Sequence, residues 1–152
     1  EPRVGAVVDR QDLDLSDTVV LAGRVNVMDW LPRIHVMVLS SLSEAQPLTV
    51  LEAGAAGIPC VTTNVGSCRE ILHGMDDEYP RFGIGGIVTD VVAPDQIAEG
   101  VISLLRDEEL RTQMGSNLRA RVREFYSSDR SRDAYANLYN LHHFQEAARW
   151  QA

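Results

Sequence analysis

The sequence predicts an α/β fold in which a parallel sheet is covered by helices on both faces. Short apolar runs at 18–23, 35–39, 60–63 and 86–89 alternate with segments whose apolar residues recur at helical spacing. Strands that alternate with helices pair in parallel and need cover on both sides. Glycine and proline mark the changeovers, as in Gly57-Ile58-Pro59. The 152 residues, 45% of them hydrophobic, suffice for one domain with its own core.

Taken in order, 4–10 reads as the tail of a helix, and Ser16 or Asp17 turns into a strand at 18–23 closed by Gly23. Residues 29–32 form a short helix or turn, and 35–39 the next strand, buried through Val36-Met37-Val38-Leu39. A helix is predicted over 47–56, with Pro47 at its first position, where the missing N–H costs nothing. Residues 60–63 are a strand, 67–72 a short helix, 74–83 an acidic, proline-containing loop and 86–89 a short strand. Pro94-Asp95 opens a helix with Ile97, Val101, Leu104 and Leu105 on one face. Amphipathic stretches follow at 108–126 and from 129 to about 144, the second carrying Tyr135, Leu138, Tyr139 and Leu141 as packing residues.

Composition excludes several functions. Fourteen basic against 22 acidic residues give a net charge of −8, which argues against nucleic acid or an anionic membrane surface as an electrostatic partner. No apolar run reaches the ~20 residues that span a bilayer, and no signal peptide is visible, although the chain opens without a methionine. Cys60 and Cys68 are too few for a disulfide framework, and Cys60 reads as a small buried thiol within an apolar strand. His142 and His143 are adjacent and point to different sides of a helix. Asp12-Leu13-Asp14 has the form of a metal-binding acidic motif but reads as a polar turn, and Asp76-Asp77-Glu78 reads as a solvated loop.

One run carries the chemistry: Ser43-Glu44-Ala45-Gln46-Pro47-Leu48-Thr49-Val50-Leu51-Glu52-Ala53. Glu44 stands in the loop before a helix and Glu52 inside it, with the helix start between them. A helix N-terminus carries about half a positive charge and free N–H groups, which suit a phosphate. In doubly wound sheets ligands bind at the carboxyl ends of strands, where this loop lies. The segment thus offers an anion cradle flanked by two carboxylates that accept from hydroxyls, which is what a nucleoside diphosphate sugar requires. Glutamate in the first turns of a helix also simply complements the dipole, so the pair gains weight from its setting. Gly66 and Ser67 read equally as a second helix start toward the ligand or as a plain tight turn. Arg69 reads as a phosphate partner or, in preference, a structural salt link.

From Ser40 to Glu70 the chain resembles the retaining, family-4 glycosyltransferases of two-domain GT-B architecture. The resemblance rests on Glu44 and Glu52 with seven residues between, on His35-Val36-Met37-Val38-Leu39-Ser40 before them, and on Leu51-Glu52-Ala53-Gly54-Ala55-Ala56-Gly57-Ile58-Pro59-Cys60-Val61 and Asn64-Val65-Gly66-Ser67-Cys68-Arg69-Glu70-Ile71 after them. Within it, Ser-Glu-Ala-Gln-Pro-Leu and Val-Gly-Ser-Cys-Arg-Glu are closest to the cytosolic glycosyltransferases of Pel-type exopolysaccharide synthesis. The resemblance implies a Rossmann-like C-terminal half over 1–152 that binds the donor, with 129–152 a helical segment crossing to an N-terminal, acceptor-binding domain not present here. It implies that Glu44 approaches hydroxyls of the donor sugar and is the catalytic residue, and that Glu52 accepts from the ribose. Backbone N–H groups near Leu48 and Thr49 would hold the diphosphate, Gln46 and Pro47 would line its mouth, and the base would touch the backbone near Val25. The implied reaction is metal-independent transfer of a hexose, from a donor such as a UDP-hexose, to a glycan. The implied place is the cytoplasm, at the inner face of the membrane through a membrane-bound polysaccharide synthesis complex, with no nucleic acid partner.

The chain also departs from that pattern. No Gly-Arg followed by Lys, the usual donor-site pair from an earlier turn, precedes Val19, and Pro47 stands where glycine is frequent. On its own the chain is expected to be inactive. Another nucleotide-sugar enzyme, such as a GT-B epimerase, and a non-catalytic nucleotide-binding or scaffold domain are the alternatives.

Overall fold

In the computed structural model, Leu15 and residues 17–149 are described, with side chains described through 139. The predictions for 4–10 and for Asp12 and Asp14 lie outside these residues, as do the side chains of Leu141, His142 and His143. The chain divides into two units at Trp30. Within the first, the only regular element among the described residues is α1 (Val27–Trp30). The strand expected at 18–23 does not form: the segment pairs with no ladder among the described residues, and Val20 and Leu21 stay about three-quarters exposed. Apolar, β-branched residues favour a strand only where a neighbour completes the ladder and a face is covered.

The second unit opens with a 3-10 turn (Leu31–Arg33) and continues as β1 (Met37–Leu39), α2 (Leu48–Ala56), β2 (Cys60–Thr63), α3 (Cys68–His73), β3 (Gly86–Thr89), α4 (Pro94–Arg106), α5 (Glu108–Phe125) and α6 (Ser128–Arg149). The strands pair in parallel in the order β1-β2-β3, with Met37 beside Cys60 and Cys60 beside Gly86. Residues alternate between faces along each strand. Cys60, Met37, Leu39 and Val88 meet Val50 and Ala53 of α2, Ile71 and Leu72 of α3, and Leu118 and Val122 of α5 in the main core. On the other face α4 lies so close that a Cβ on Gly100 would stand 3.1 Å from Val61 and 3.3 Å from Ile87. The predicted two-sided cover is therefore present. Val38 faces that second side and is exposed, correcting the expectation of a fully buried strand, because α4 sits over β2 and β3.

Helix ends follow local chemistry. Gly57 (φ +80°) stops α2 with its N–H on the Ala53 and Gly54 carbonyls, a left-handed cap that glycine adopts without strain. Pro94 begins α4, and Asp107 caps α5 by accepting from the Leu110 N–H at 2.9 Å. Pro47 is the N-cap of α2 (ψ 106°), not its first residue; α2 begins at Leu48. On α4, Leu104 is buried but Leu105 is exposed, since the sheet contact is narrower than the apolar stripe. Tyr135, Leu138 and Tyr139 are exposed along α6, not packed as expected.

Glu78 overturns the solvated-loop reading. It is buried and forms a forked ion pair with buried Arg121 of α5, at 2.6 Å (Nε to Oε2) and 2.9 Å (Nη2 to Oε1). Arg121 also donates to the Ile71, Leu72 and Gly83 carbonyls, pinning the loop against α3 and α5. A carboxylate surrounded by acidic neighbours reads as solvated until its distant cation is known.

Candidate functional site

Parallel strands place all their carboxyl ends on one edge, and here the loops after Leu39, Thr63 and Thr89 gather there. The Asn64 N–H donates to the Thr89 carbonyl at 2.8 Å. Thr63 Oγ1 donates to the Ser41 carbonyl at 2.6 Å, and Ser41 Oγ donates to Glu44 Oε1 at 2.7 Å. The Ser41 hydroxyl thus orients the Glu44 carboxylate, which is only partly buried, while Thr63 anchors the Ser41 backbone. Ser41 and Thr63 were not singled out by sequence, and the signal for Thr63 was its place as the last residue of a strand.

Gly66 forms a tight turn, and Ser67 after it is the N-cap of α3, so the turn and the helix start of the two readings coincide. Its φ is +51°, and a Cβ there would lie 2.2 Å from the Ala45 carbonyl oxygen and 2.6 Å from that of Glu44. Only glycine permits this approach. The Ser67 N–H donates to the Ala45 carbonyl at 2.9 Å and so is occupied by the protein itself. The 40–47 loop is thereby held from below by Thr63 and from the side by the 65–67 turn.

At the start of α2 the Pro47 carbonyl accepts from Val50 at 3.1 Å and Leu51 at 3.4 Å. The N–H groups of Leu48 and Thr49 have no acceptor among the described residues, and both residues are exposed. No acidic side chain lies in the first turn, so the positive end of the dipole is uncompensated. Glu52 follows Leu48 by four residues, is exposed and is free of partners among the described residues, while Gln46 is exposed and Pro47 buried. The structure therefore brings Glu44, Gln46, Pro47, Leu48, Thr49 and Glu52 to one end of one helix. Val25 belongs to the first unit and is exposed there.

Neighbouring groups divide into spent and free. Burial pushes the Cys60 thiol up to about 12, with Cys68 adding to it, and burial likewise raises Cys68, with Glu44 adding its charge. Both thiols are thus protonated, matching the buried-thiol reading. Arg69 is exposed and makes no ion pair among the described residues, so the preferred salt link does not form; Glu70 instead accepts the Tyr126 hydroxyl at 2.7 Å. After β3, Asp90 and Gln96 clip each other at 2.9 and 3.0 Å, and exposed Val92 adopts φ +58°, a strained conformation for a β-branched residue. No group of three His, Cys, Asp or Glu side chains suited to a metal occurs among the described residues. No described helix is long and apolar enough to cross a membrane.

Residues 8–121 match the sequence profile of the family described as glycosyl transferases group 1. The chain is 32% identical over 130 residues to the N-acetyl-alpha-D-glucosaminyl L-malate synthase of Bacillus anthracis, covering 85% of this chain and 32% of that protein. It is 26% identical over 147 residues to the capsular polysaccharide biosynthesis glycosyltransferase CapM of Staphylococcus aureus, covering 90% and 36%. The chain thus spans about a third of the length of these curated relatives. Among solved structures, the sucrose-phosphate synthase of Thermosynechococcus elongatus superposes with a TM-score of 0.75 at 21% identity, over 87% of this chain and 32% of that one. The C-terminal domain of a glycosyl transferase group 1 family protein from Francisella tularensis superposes with a TM-score of 0.57 at 25% identity, over 72% and 52%.

Proposed function

Since the chain belongs to the group 1 glycosyl transferases, with a Rossmann-like, GT-B-like fold, we propose that it is the donor-binding part of a retaining, family-4 hexosyltransferase. The observation that carries this reading is the pair of unpartnered N–H groups on Leu48 and Thr49, set between Glu44 and Glu52 at the strands' carboxyl edge. The diphosphate lies on these two donors, Glu52 accepts from the ribose, and Glu44, oriented through Ser41, meets hydroxyls of the sugar. Gln46 and Pro47 form the rim.

As the glycosidic bond breaks, charge grows on the leaving diphosphate. Fixed N–H dipoles stabilise that charge more than the ground state, which is where the rate is gained. No metal is required in this scheme. Neither glutamate is a nucleophile, because paired-carboxylate chemistry needs both carboxyls at one bond, whereas here one serves the sugar and the other the ribose. The donor is a UDP-hexose. The acceptor is a growing glycan, delivered by a further N-terminal domain that α6 reaches, in exopolysaccharide synthesis of the Pel type at the cytoplasmic membrane face. The CapM likeness supports a glycan acceptor. A small hydroxy acid as acceptor is the second reading, favoured by the relative named for L-malate.

Calorimetric titration of the full-length protein with UDP, GDP and ADP tests the donor site. Micromolar binding of one nucleotide, weakened in Glu52→Ala, is expected. Failure of all three to bind overturns the reading and leaves a scaffold domain.

A further inference from the structure

The sheet's opposite edge carries a second cleft of about 360 Å³, between the amino ends of β1 and β2 and the flank of α5. That volume lies within the usual range for a small-ligand pocket. We propose that it is an anion site, separate from the donor cradle, for a small phosphate ester. Its polar side chains are His35, Arg111, Thr112, Ser116 and Arg119, and no carboxylate is among its lining residues; the backbone at 57–59 adds no donor, because the Gly57 and Ile58 N–H groups are spent on α2 carbonyls and Pro59 has none. In a chain of net charge −8 this is a local concentration of cationic and hydroxyl donors. Guanidinium forks suit phosphate oxygens because two parallel N–H groups meet two oxygens at once.

The two arginines differ in how they are held. Arg111 donates through Nη1 to the Leu104 and Leu105 carbonyls at 2.9 and 3.3 Å, which fixes the side chain and leaves its other nitrogens for a ligand. Arg119 makes no hydrogen bond or ion pair among the described residues. Its stem passes Gly57, with Cδ 3.6 Å from where a Cβ would stand. Gly57 closes α2, yet the Arg119 guanidinium donates to none of the last carbonyls of that helix, so it is not consumed as a cap. The cradle lies at the start of α2 and the cleft at its end, about 13 Å apart along the nine residues of the helix. Both sites are therefore open to occupation at once.

The test is amide chemical-shift mapping of the isotope-labelled full chain during titration with inorganic phosphate and with glycerol 3-phosphate, glycerol being the control. Saturable, millimolar shifts at Gly57, Thr112, Ser116 and Arg119 are expected, apart from any at Leu48 and Thr49, which report the cradle. Arg119→Glu should weaken the cleft response about tenfold or more, the loss of one charge-assisted contact, while Arg119→Lys, which keeps the charge but not the fork, should weaken it less than Arg119→Glu does. Ser116→Asp, on an exposed helix position, should abolish the response without unfolding the chain. Absence of saturable shifts at the cleft amides, or an unchanged response in both Arg119→Glu and Ser116→Asp, overturns the proposal.

Discussion

Arg121 reaches five acceptors while only 1% exposed: both Glu78 oxygens and the carbonyls of Ile71, Leu72 and Gly83. A guanidinium this deep is tolerated only because every direction it donates in meets an oxygen. Arg121→Met fills similar space but strands the Glu78 carboxylate and three carbonyls away from water. The expected cost is about 3–5 kcal/mol, the usual result of removing one member of a buried pair. Urea unfolding of the single variant, and of the double variant with Glu78→Met, measures it. The double variant should recover part of the loss, since the second change removes the stranded charge. A single-variant cost no greater than that of an ordinary surface change, within about 0.5 kcal/mol, would show that the pair does not hold the loop.

The cradle is a property of an element, the first turn of α2 with the loop feeding it. Leu48→Pro tests it selectively. Pro47 already has ψ 106°, the extended conformation preferred before a proline, and the first helical position tolerates proline. The helix should survive, while one of the two free N–H donors disappears. Nucleotide binding is expected to weaken by about 10-fold or more, one charge-assisted hydrogen bond, with helix content by circular dichroism unchanged. Equal affinity in the variant would mean that the diphosphate does not use this turn. At this scale the sequence was informative where rules are local. The strands Cys60–Thr63 and Gly86–Thr89 and the start of α4 at Pro94 agree with periodicity and proline placement. What escaped it depends on distant chain. The 18–23 run had strand composition but no ladder among the described residues, and the Thr63 hydroxyl that anchors the Ser41 backbone behind Glu44 comes from 22 residues further along the chain. Gly66 was visible as a turn, but not that its missing Cβ makes room for the Ala45 carbonyl.

Across the whole molecule, the titrating groups bound a pH window of stability. Burial, then the Arg69 charge, lowers His73 below 6.5. The unfolded chain therefore binds this proton more readily, and its contribution is lost as the pH falls below that value. Burial alone would raise Glu78, but the hydrogen bonds and charge of Arg121 outweigh it and hold the carboxyl below 4.5. Its contribution is complete above that value and disappears as acid protonates the folded carboxylate, releasing Arg121. The alkaline side has the opposite sign. Burial raises both thiols above 9.0, Cys60 to about 12, and burial with the Glu70 hydrogen bond raises Tyr126 above 10.0. Each contributes stability below its ordinary value, and that contribution is lost as the pH rises and the unfolded chain ionises first. Thermal unfolding from pH 3 to 11 should therefore show a plateau between about 6.5 and 9, a shallow fall beneath it and a steeper one below about 4.5. Glu78→Gln should flatten the acid limb and leave the alkaline limb in place. An acid limb as steep in Glu78→Gln as in the parent would place the acid sensitivity elsewhere than the buried pair.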